Sequence, residues 1–292
     1  MKELLIRLAV GVAVVAVVVI VITWIAGGDL THPANREIGR PPPALEASNV
    51  TFASGSGALI NGWLSPGKPG RGVVILLHGL RGDRRDMASR AQFLHARGHF
   101  VLLFDFQAHG QSRGSRVTFG DLESRDVTAA IQYLRHKLPD EQVGVIGVSL
   151  GAAAFVLAEE RPPVAAVVLE QMYPTVQQAV AGRARQHLGP FGPLFSPLLM
   201  VQMQSRLKIP ANRLRPVDRI TQIGTPVLIV NGTEDSYTSI EDARALLAAA
   251  SDPKELWAVQ GAGHTNLYAF AKAQYEQRIG DFFGRYLSAA AK

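Results

Sequence analysis

The segment Gly147–Gly151 has the Gly-x-Ser-x-Gly pattern, which can place a serine on a sharp turn between a strand and a helix. An apolar run, 143–148, precedes Ser149, and a run of small residues, 150–158, follows it. A Cβ at either glycine would clash with the adjoining strand or helix, so the pattern has a steric reason. Such a turn exposes the hydroxyl of Ser149 as a nucleophile.

A second copy of the pattern, Gly110–Gly114, places Ser112 between the same two glycines. The residues after Ser112 are Arg113, Gly114, Ser115 and Arg116, which do not predict a buried helix. The pattern depends on its strand-turn-helix setting, and only the first copy has one. We therefore expect Ser149, and not Ser112, to be the nucleophile.

A serine hydroxyl needs a base within hydrogen-bond reach and an acid that orients the base. Two late apolar runs, 227–230 and 256–259, are each followed by a loop with suitable groups. Among eight histidines, His264 alone follows a late strand in a glycine-rich loop. We predict His264 as the base and Asp235 as the acid. The alternative acids are Glu234, in the same loop, and Asp218, which precedes the strand.

Attack by serine creates an oxyanion, which two preorganised N–H donors must stabilise. The backbone N–H of Leu150 follows the nucleophile directly. The second donor should come from the loop after the apolar run 73–77, which begins His78-Gly79-Leu80. We predict Leu80, because the glycine lets the backbone turn its amide inward.

Apolar runs typical of buried strands alternate with amphipathic segments, which favours an α/β class with a mostly parallel, doubly wound sheet. The pattern predicts an edge strand at 58–64, central strands at 73–77, 100–104, 143–148 and 164–169, and late strands at 227–230 and 256–259. Helices are expected at 87–97, 121–137, 150–160, 239–250 and 268–287. Six prolines interrupt the segment 172–216, which we interpret as a small cap insertion.

Residues 8–26 carry no charge and are long enough as a helix, about 28 Å, to cross a bilayer core of about 30 Å. Lys2 and Arg7 precede the run, which favours a cytoplasmic N-terminus and an extracytoplasmic domain. We predict a transmembrane anchor at 1–28, a Pro-rich tether at 29–49 and a catalytic domain at 50–292. The alternative is a signal peptide cleaved near Ala26-Gly27-Gly28, which would release a secreted protein.

The chain has no cysteine, which excludes disulfides and cysteine-zinc sites, and its net charge is +6. Seven cations against one acid lie within 171–226, as either a solvated surface or a patch near anionic lipid headgroups. No aromatic residues interleave with these arginines, so nucleic acid is not expected as a partner. Gly62–Lys68 has P-loop spacing, but Pro69 replaces the required Ser or Thr. We expect neither a metal nor a cofactor.

Residues 50–288 resemble the α/β-hydrolases, in particular the membrane-tethered serine esterases that include lysophospholipases and depalmitoylating thioesterases. The resemblance rests on the segments 78–82 and 105–112, the turn at Ser149 and the loops of Asp235 and His264. It implies a Ser149–His264–Asp235 triad and a structural loop around Ser112. One departure is Ala108, where the family commonly has glycine.

The residues and the resemblance together predict a serine hydrolase that forms an acyl-enzyme. Apolar cap residues and the predicted anchor suggest a small-molecule or lipid-derived ester as substrate. Thioester or peptide cleavage by the same triad is one alternative, because triad chemistry does not select the bond. A catalytically silent interaction module on the membrane is another, and covalent labelling by a fluorophosphonate would distinguish it.

Overall fold

The computed structural model describes residues 1–288, in which a long N-terminal helix precedes one α/β domain. The strands are β1 (Ala34–Asn35), β2 (Ser48–Ala53), β3 (Leu59–Ser65), β4 (Val73–Leu77), β5 (Phe100–Phe104), β6 (His109–Gly110), β7 (Val143–Val148), β8 (Ala166–Glu170), β9 (Val227–Gly232) and β10 (Lys254–Val259). The main sheet has the order β10-β9-β8-β7-β4-β5-β3-β2, and β1 pairs with β6 separately.

The helices are α1 (Lys2–Thr31), α2 (Ala88–Ala96), α3 (Asp121–Lys137), α4 (Leu150–Leu157), α5 (Val176–Leu188), α6 (Ser196–Leu207), α7 (Ile240–Ala249), α8 (Leu267–Phe270) and α9 (Lys272–Tyr286). Short 3-10 turns occupy Pro43–Leu45, Arg84–Met87, Gly189–Phe195, Ala211–Arg213, Pro216–Asp218 and Ile220–Gln222. Helices on both faces of the sheet bury strands whose residues are apolar throughout, as in β4. The predicted doubly wound, mostly parallel sheet is confirmed.

Two hydrophobic cores lie on opposite faces of the sheet. One joins the sheet to α3, α4 and α7, through residues such as Ile131, Phe155 and Leu246. The other joins it to α2 and α9, through Leu94 and Phe283 among others. Parallel strands with both faces covered bring their carboxyl ends to one edge of the sheet, where the loops after β4, β7, β8, β9 and β10 meet.

Three predicted elements differ from the structure by more than two residues at an end or in their arrangement. The helix predicted at 268–287 is divided into α8 and α9, because Ala271 between them leaves the helical conformation with φ −127° and ψ +43°. The strand at 58–64 was expected at the edge, but β3 pairs with both β2 and β5 and is the second strand from the edge. The edge strand is β2, which mixes Ser, Asn and Thr with apolar residues and therefore shows no apolar run. The helix after Ser149 ends at Leu157, not at residue 160, and 161–163 then lie in a Pro-containing loop.

The segment 172–216, expected as a cap, contains α5 and α6 joined by a 3-10 turn. It has a core of its own, in which Val176, Met203 and Leu214 pack on Phe119 and Leu157 of the main domain. The Pro-rich segment 29–49, expected as a tether, lies against the domain. Ala34, Ile38 and Leu45 are buried there.

The helix α1 is the one helix within residues 1–288 that is long and apolar enough to cross a membrane, with a mean hydropathy of 3.1 over its most apolar stretch. Its length and composition fit both a membrane span and a signal sequence. Its C-terminal part packs on α6 of the cap, where Gln202 Nε2 donates to Thr23 Oγ1 at 3.0 Å. The helix is thus connected to the domain by polar contacts.

Candidate active site

The turn between β7 and α4 holds Ser149 in a strained conformation, with φ +51° and ψ −109°. A Cβ on Gly147 would lie 2.6 Å from the backbone nitrogen of Ala152, and one on Gly151 would lie 2.5 Å from the carbonyl oxygen of Leu77. Both glycines are therefore sterically required. The N–H of Ser149 donates to the carbonyl of Glu170 at 2.8 Å, and all eight residues of α4 are buried. These contacts stabilise the strained backbone conformation of Ser149.

The structure brings His264 and Asp235 into direct contact. Nδ1 of His264 lies 2.8 Å from Oδ2 of Asp235. An ionised carboxylate only accepts hydrogen bonds, so the imidazole proton lies on Nδ1 and leaves Nε2 of a neutral ring free to accept a proton. His264 and Ser149 both line one cavity of about 760 Å³.

The carboxylate of Asp235 is buried and receives several further hydrogen bonds. The N–H groups of Tyr237 and Thr238 donate to Oδ1 at 2.8 and 3.0 Å, and Thr238 Oγ1 donates to Oδ2 at 2.9 Å. Burial alone would raise the pKa of Asp235, but the hydrogen bonds from His264 and Thr238 outweigh it and hold the pKa below its ordinary value. Asp235 is therefore ionised at neutral pH.

The alternative acids do not contact His264 in this way. Glu234 is exposed, although it lies in the same loop as Asp235. Asp218 is exposed and pairs with Arg215 at 2.5 Å. Geometry therefore favours Asp235 over both.

The loop after β4 places Gly79 beside the serine, since a Cβ on Gly79 would lie 3.8 Å from Cβ of Ser149. The carbonyl of Gly79 accepts from His78 Nδ1 at 2.8 Å and from the N–H of Gly82 at 3.1 Å. In a trans peptide the C=O and the next N–H point in opposite directions, so the N–H of Leu80 points away from His78. Leu80 and Leu150 both line the cavity.

His78 is a residue whose contribution the sequence did not indicate. It is fully buried, and its Nε2 accepts from the N–H of Phe106 at 3.1 Å, so both ring nitrogens are committed. Burial lowers the pKa of His78 to about 4, which keeps the ring neutral at pH 7. A neutral His78 fixes the peptide between Gly79 and Leu80.

Gln171 is a second residue that sequence reasoning missed. It follows β8 with φ +50°, and its Nε2 donates to Oδ2 of Asp235 at 3.1 Å and to the carbonyl of Gly263 at 2.9 Å. It therefore connects the loop of the acid to the loop of the base. The signal that could have found it is its position at the carboxyl end of a strand, the same signal that identified Asp235.

Behind the His264 loop lies a buried ion pair that the sequence did not indicate. Arg90 Nη2 lies 2.6 Å from Glu170 Oε2, and Arg90 Nη1 donates to Asn266 Oδ1 at 3.0 Å. The hydroxyl of Tyr275 also donates to Glu170. Because Glu170 accepts from the N–H of Ser149 through its backbone, the network connects the turn of the serine to the loop of the histidine.

The structure places Ser112 away from the cavity. Its side chain is fully buried, and its Oγ accepts from the N–H of Asn61 at 2.9 Å. Two of the seven cations within 171–226 are paired with acids outside this segment. Arg213 pairs with Asp121 at 2.9 Å and Arg219 with Glu159 at 2.8 Å, both on the main domain.

The fold is that of the α/β-hydrolases, and Ser149, Asp235 and His264 follow β7, β9 and β10 in the chain order typical of the nucleophile, acid and base of this class. Comparisons with known proteins agree. The sequence matches the Alpha/beta hydrolase family over residues 74–277. The chain therefore belongs to the α/β-hydrolase family, as the resemblance implied.

The chain is 30% identical over 262 residues to the uncharacterized protein Rv2307c of Mycobacterium tuberculosis, covering 87% of this chain and 86% of that protein. It is 25% identical over 297 residues to the uncharacterized protein YfhR of Salmonella typhi, with 94% of each covered. Among solved structures, the esterase Pf2001 of Pyrococcus furiosus superposes with a TM-score of 0.73 at 22% identity, over 88% of this chain and 98% of that one. This likeness shows the fold.

Proposed function

We propose that the protein is a serine hydrolase that cleaves carboxylic esters through Ser149, His264 and Asp235. The observation that carries the proposal is the combination of a strained, cavity-lining Ser149 with a His264 whose Nδ1 is held by a buried carboxylate. This leaves Nε2 as the atom that can take the serine proton. Membership of the α/β-hydrolase family and the likeness to the Pyrococcus esterase support the same class of reaction.

In the proposed mechanism, Nε2 of His264 takes the proton of the Ser149 hydroxyl as Oγ forms a bond to the ester carbonyl carbon. The tetrahedral intermediate collapses when the same nitrogen gives that proton to the leaving alcohol, which breaks the ester C–O bond. Water then repeats the two steps on the acyl-enzyme and releases the carboxylic acid. Asp235 stays ionised throughout and stabilises the imidazolium.

The oxyanion of the intermediate is stabilised by the N–H groups of Leu80 and Leu150. Donation from His78 to the carbonyl of Gly79 supports this role for Leu80, because it fixes the peptide before substrate arrives. A preorganised donor of this kind contributes about 3 kcal/mol to transition-state stabilisation.

We further propose that α1 anchors the protein in a membrane and that the catalytic domain lies on the extracytoplasmic side. Lys2 and Arg7 precede the apolar run of α1, as expected of a cytoplasmic N-terminus. The apolar lining of the cavity supports an ester with a hydrocarbon chain as substrate.

The test is labelling of the full chain with a fluorophosphonate, combined with turnover of a panel of p-nitrophenyl esters. We expect labelling on Ser149, identified by peptide mass spectrometry, and loss of both labelling and turnover in Ser149→Ala. Equal turnover in Ser149→Ala would remove Ser149 from the mechanism, and a chain that neither reacts nor turns over would support the silent interaction module.

A further inference from the structure

One wall of the cavity at Ser149 comes from the N-terminal helix. The C-terminal third of α1 lines the cavity together with the cap helices and the predicted catalytic residues. The lining residues of α1 are Ile22, Thr23, Ala26, Gly27, Asp29, Leu30 and Thr31. The space in which substrate would bind is thus closed partly by the same helix that would hold the protein in the membrane.

Specific contacts hold this part of α1 in place. Gln202 of α6 donates to the carbonyl of Ile20 at 3.2 Å as well as to Thr23, and the guanidinium of Arg206 lies 3.7 Å from the ring centroid of Trp24. At the end of the helix, the carbonyl of Thr31 accepts from the N–H of Val117 at 2.9 Å. The wall is therefore attached both to the cap and to the main domain.

The length of α1 indicates where the wall lies relative to a bilayer. At 1.5 Å per residue, its 30 residues span about 45 Å, whereas a hydrocarbon core of about 30 Å needs only about 20 residues. About ten residues remain for the interface and beyond. Lys2 and Arg7 lie at the opposite side, so the excess divides between residues 2–7 and residues 27–31. The cavity-lining part of α1 therefore extends from the last turns of the uncharged run 8–26 to the residues beyond it.

The cap presents apolar side chains next to this region. Val201 of α6 is 64% exposed, and Phe191 and Leu194 in the preceding turn are 69% and 75% exposed. Since Gln202 of α6 contacts Ile20 and Thr23, this part of the cap lies beside the last turns of the uncharged run of α1. Large exposed apolar side chains beside a membrane helix are expected to enter the lipid interface.

We propose that residues 22–31 of α1 form the acyl-chain site, and that the substrate is a long-chain ester of a membrane lipid that enters the cavity from the bilayer along this helix. The inference rests on the proposed function, since the chain must reach Ser149 with its carbonyl. Each methylene buried in the cavity adds about a factor of four in affinity, so the site favours long chains. Cleavage as a signal peptide near residue 28 would remove most of this wall.

Gly27 offers a sharp test. It lines the cavity, and a Cβ built on it meets no atom within 4 Å, so a side chain can begin there without a clash and we expect a larger one to take up space in the cavity. Gly11 is the matched control, because it lies on the same helix, also has nothing within 4 Å, and is outside the lining. Leucine at either position raises helix propensity equally.

The experiment measures kcat/KM of the full chain in phospholipid nanodiscs for p-nitrophenyl acetate, butyrate, laurate and palmitate. Gly27→Leu is expected to lower the laurate and palmitate values at least tenfold and the acetate value less than threefold. Gly11→Leu should match wild type throughout. A Gly27→Leu profile equal to wild type, or an equal loss for all four esters, would overturn the acyl site. Activity that survives Ser149→Ala would instead overturn the proposed function.

A second measurement needs no variant of α1. A long-chain alkyl fluorophosphonate with a photoreactive group at the end of its chain is reacted with the wild-type chain and irradiated. We expect the second attachment on residues 22–31 or on the cap residues that face them. Attachment to Ser149 with crosslinks confined to other parts of the chain would overturn the acyl site and leave the proposed function intact. Absence of attachment to Ser149 would count against both.

Discussion

The two copies of the Gly-x-Ser-x-Gly pattern have nearly the same steric requirements at their glycines, but their serines differ in conformation and surroundings. A Cβ on Gly147 or Gly151 would meet backbone atoms at 2.6 or 2.5 Å. A Cβ on Gly110 would lie 2.2 Å from Asp105 Oδ2, and one on Gly114 would lie 2.3 Å from Gln107 Oε1. All four glycines are therefore packed against neighbouring atoms, and glycine spacing alone does not separate the copies.

The serines differ in backbone conformation and in surroundings. Ser149 has φ +51° and lines the cavity, whereas Ser112 is fully buried and its Oγ accepts from the N–H of Asn61. The flanking elements explain the difference: Ser149 joins a buried strand to a buried helix, and Ser112 follows the two-residue strand β6. The setting of the motif, and not its letters, thus indicates which hydroxyl is available for chemistry.

Replacing each serine by alanine gives the largest expected difference in kcat between the two copies. Ser149→Ala should lower kcat for short-chain esters by about 10⁴-fold or more, because no other hydroxyl replaces the nucleophile. Ser112→Ala should leave kcat within about twofold and lower the free energy of unfolding by about 1 to 3 kcal/mol, since the N–H of Asn61 loses its acceptor. Steady-state kinetics and denaturant unfolding of both variants measure the two effects. The reverse result would exchange the roles of the two serines.

Replacement of the predicted catalytic acid, Asp235, gives the next largest expected effect on kcat. Asp235→Asn should lower kcat by about 10² to 10⁴-fold, because the amide no longer stabilises the imidazolium or fixes its tautomer. Glu234→Gln and Asp218→Asn are matched controls that remove an exposed carboxylate, and each should stay within about twofold of wild type. A control that loses as much activity as Asp235→Asn would identify another acid.

Much of the fold follows from local pattern. The predicted bounds 73–77, 100–104, 121–137 and 143–148 agree with β4, β5, α3 and β7 to the residue, because each run is strongly apolar or amphipathic and ends at Gly, Pro or polar residues. The edge strand β2 was not predicted, since four of its six residues are exposed and its polar residues interrupt the pattern. Local pattern therefore identifies buried elements better than exposed ones.

The residues of the candidate site likewise divide into those that local pattern predicted and those that only the structure showed. Ser149, Asp235 and His264 each follow a recognisable strand, so order along the chain was enough to propose them. His78, Gln171 and the pair of Arg90 with Glu170 act through contacts between segments that are distant in sequence. The packing of α1 on the cap is of the same kind, because hydropathy describes α1 as an apolar helix and contains no information about Gln202 or Arg206.

A buried histidine pair connects the two regions and predicts a pH effect. His78 precedes Gly79 beside the first serine, His109 precedes the second motif, and their ring centroids lie 5.1 Å apart. Burial lowers the pKa of each to about 4, while unfolded histidine titrates near 6.5. Between these values the unfolded chain binds more protons, so this contribution to stability is complete above about pH 6.5 and is lost as pH falls toward 4.

His109→Gln measures this contribution by comparison with wild type. From pH 7 to pH 5, wild type should lose about 2 kcal/mol more of its free energy of unfolding than the variant does. The difference between variants is needed because burial raises the pKa of Asp126 to about 7, which changes stability in the opposite direction over this range. Equal slopes of denaturant-unfolding free energy against pH would show that His109 is already accessible to protons.

The smallest expected effect concerns Gln171, which donates a hydrogen bond to the predicted catalytic acid, Asp235. Gln171→Met keeps a similar length and removes the donor to Asp235 and to the carbonyl of Gly263, so the loops of Asp235 and His264 are no longer joined at this point. We expect kcat to fall about tenfold with little change in KM. One hydrogen bond to a charged group contributes about 1.5 to 3 kcal/mol. The loss stays near the lower end of this range because two other donors still hold each oxygen of Asp235. Gln171→Glu should lose more, since a second carboxylate would repel the first. If Gln171→Met lowers thermal stability but leaves kcat unchanged, Gln171 only stabilises the fold, and the acid is positioned by the Tyr237 and Thr238 donors alone.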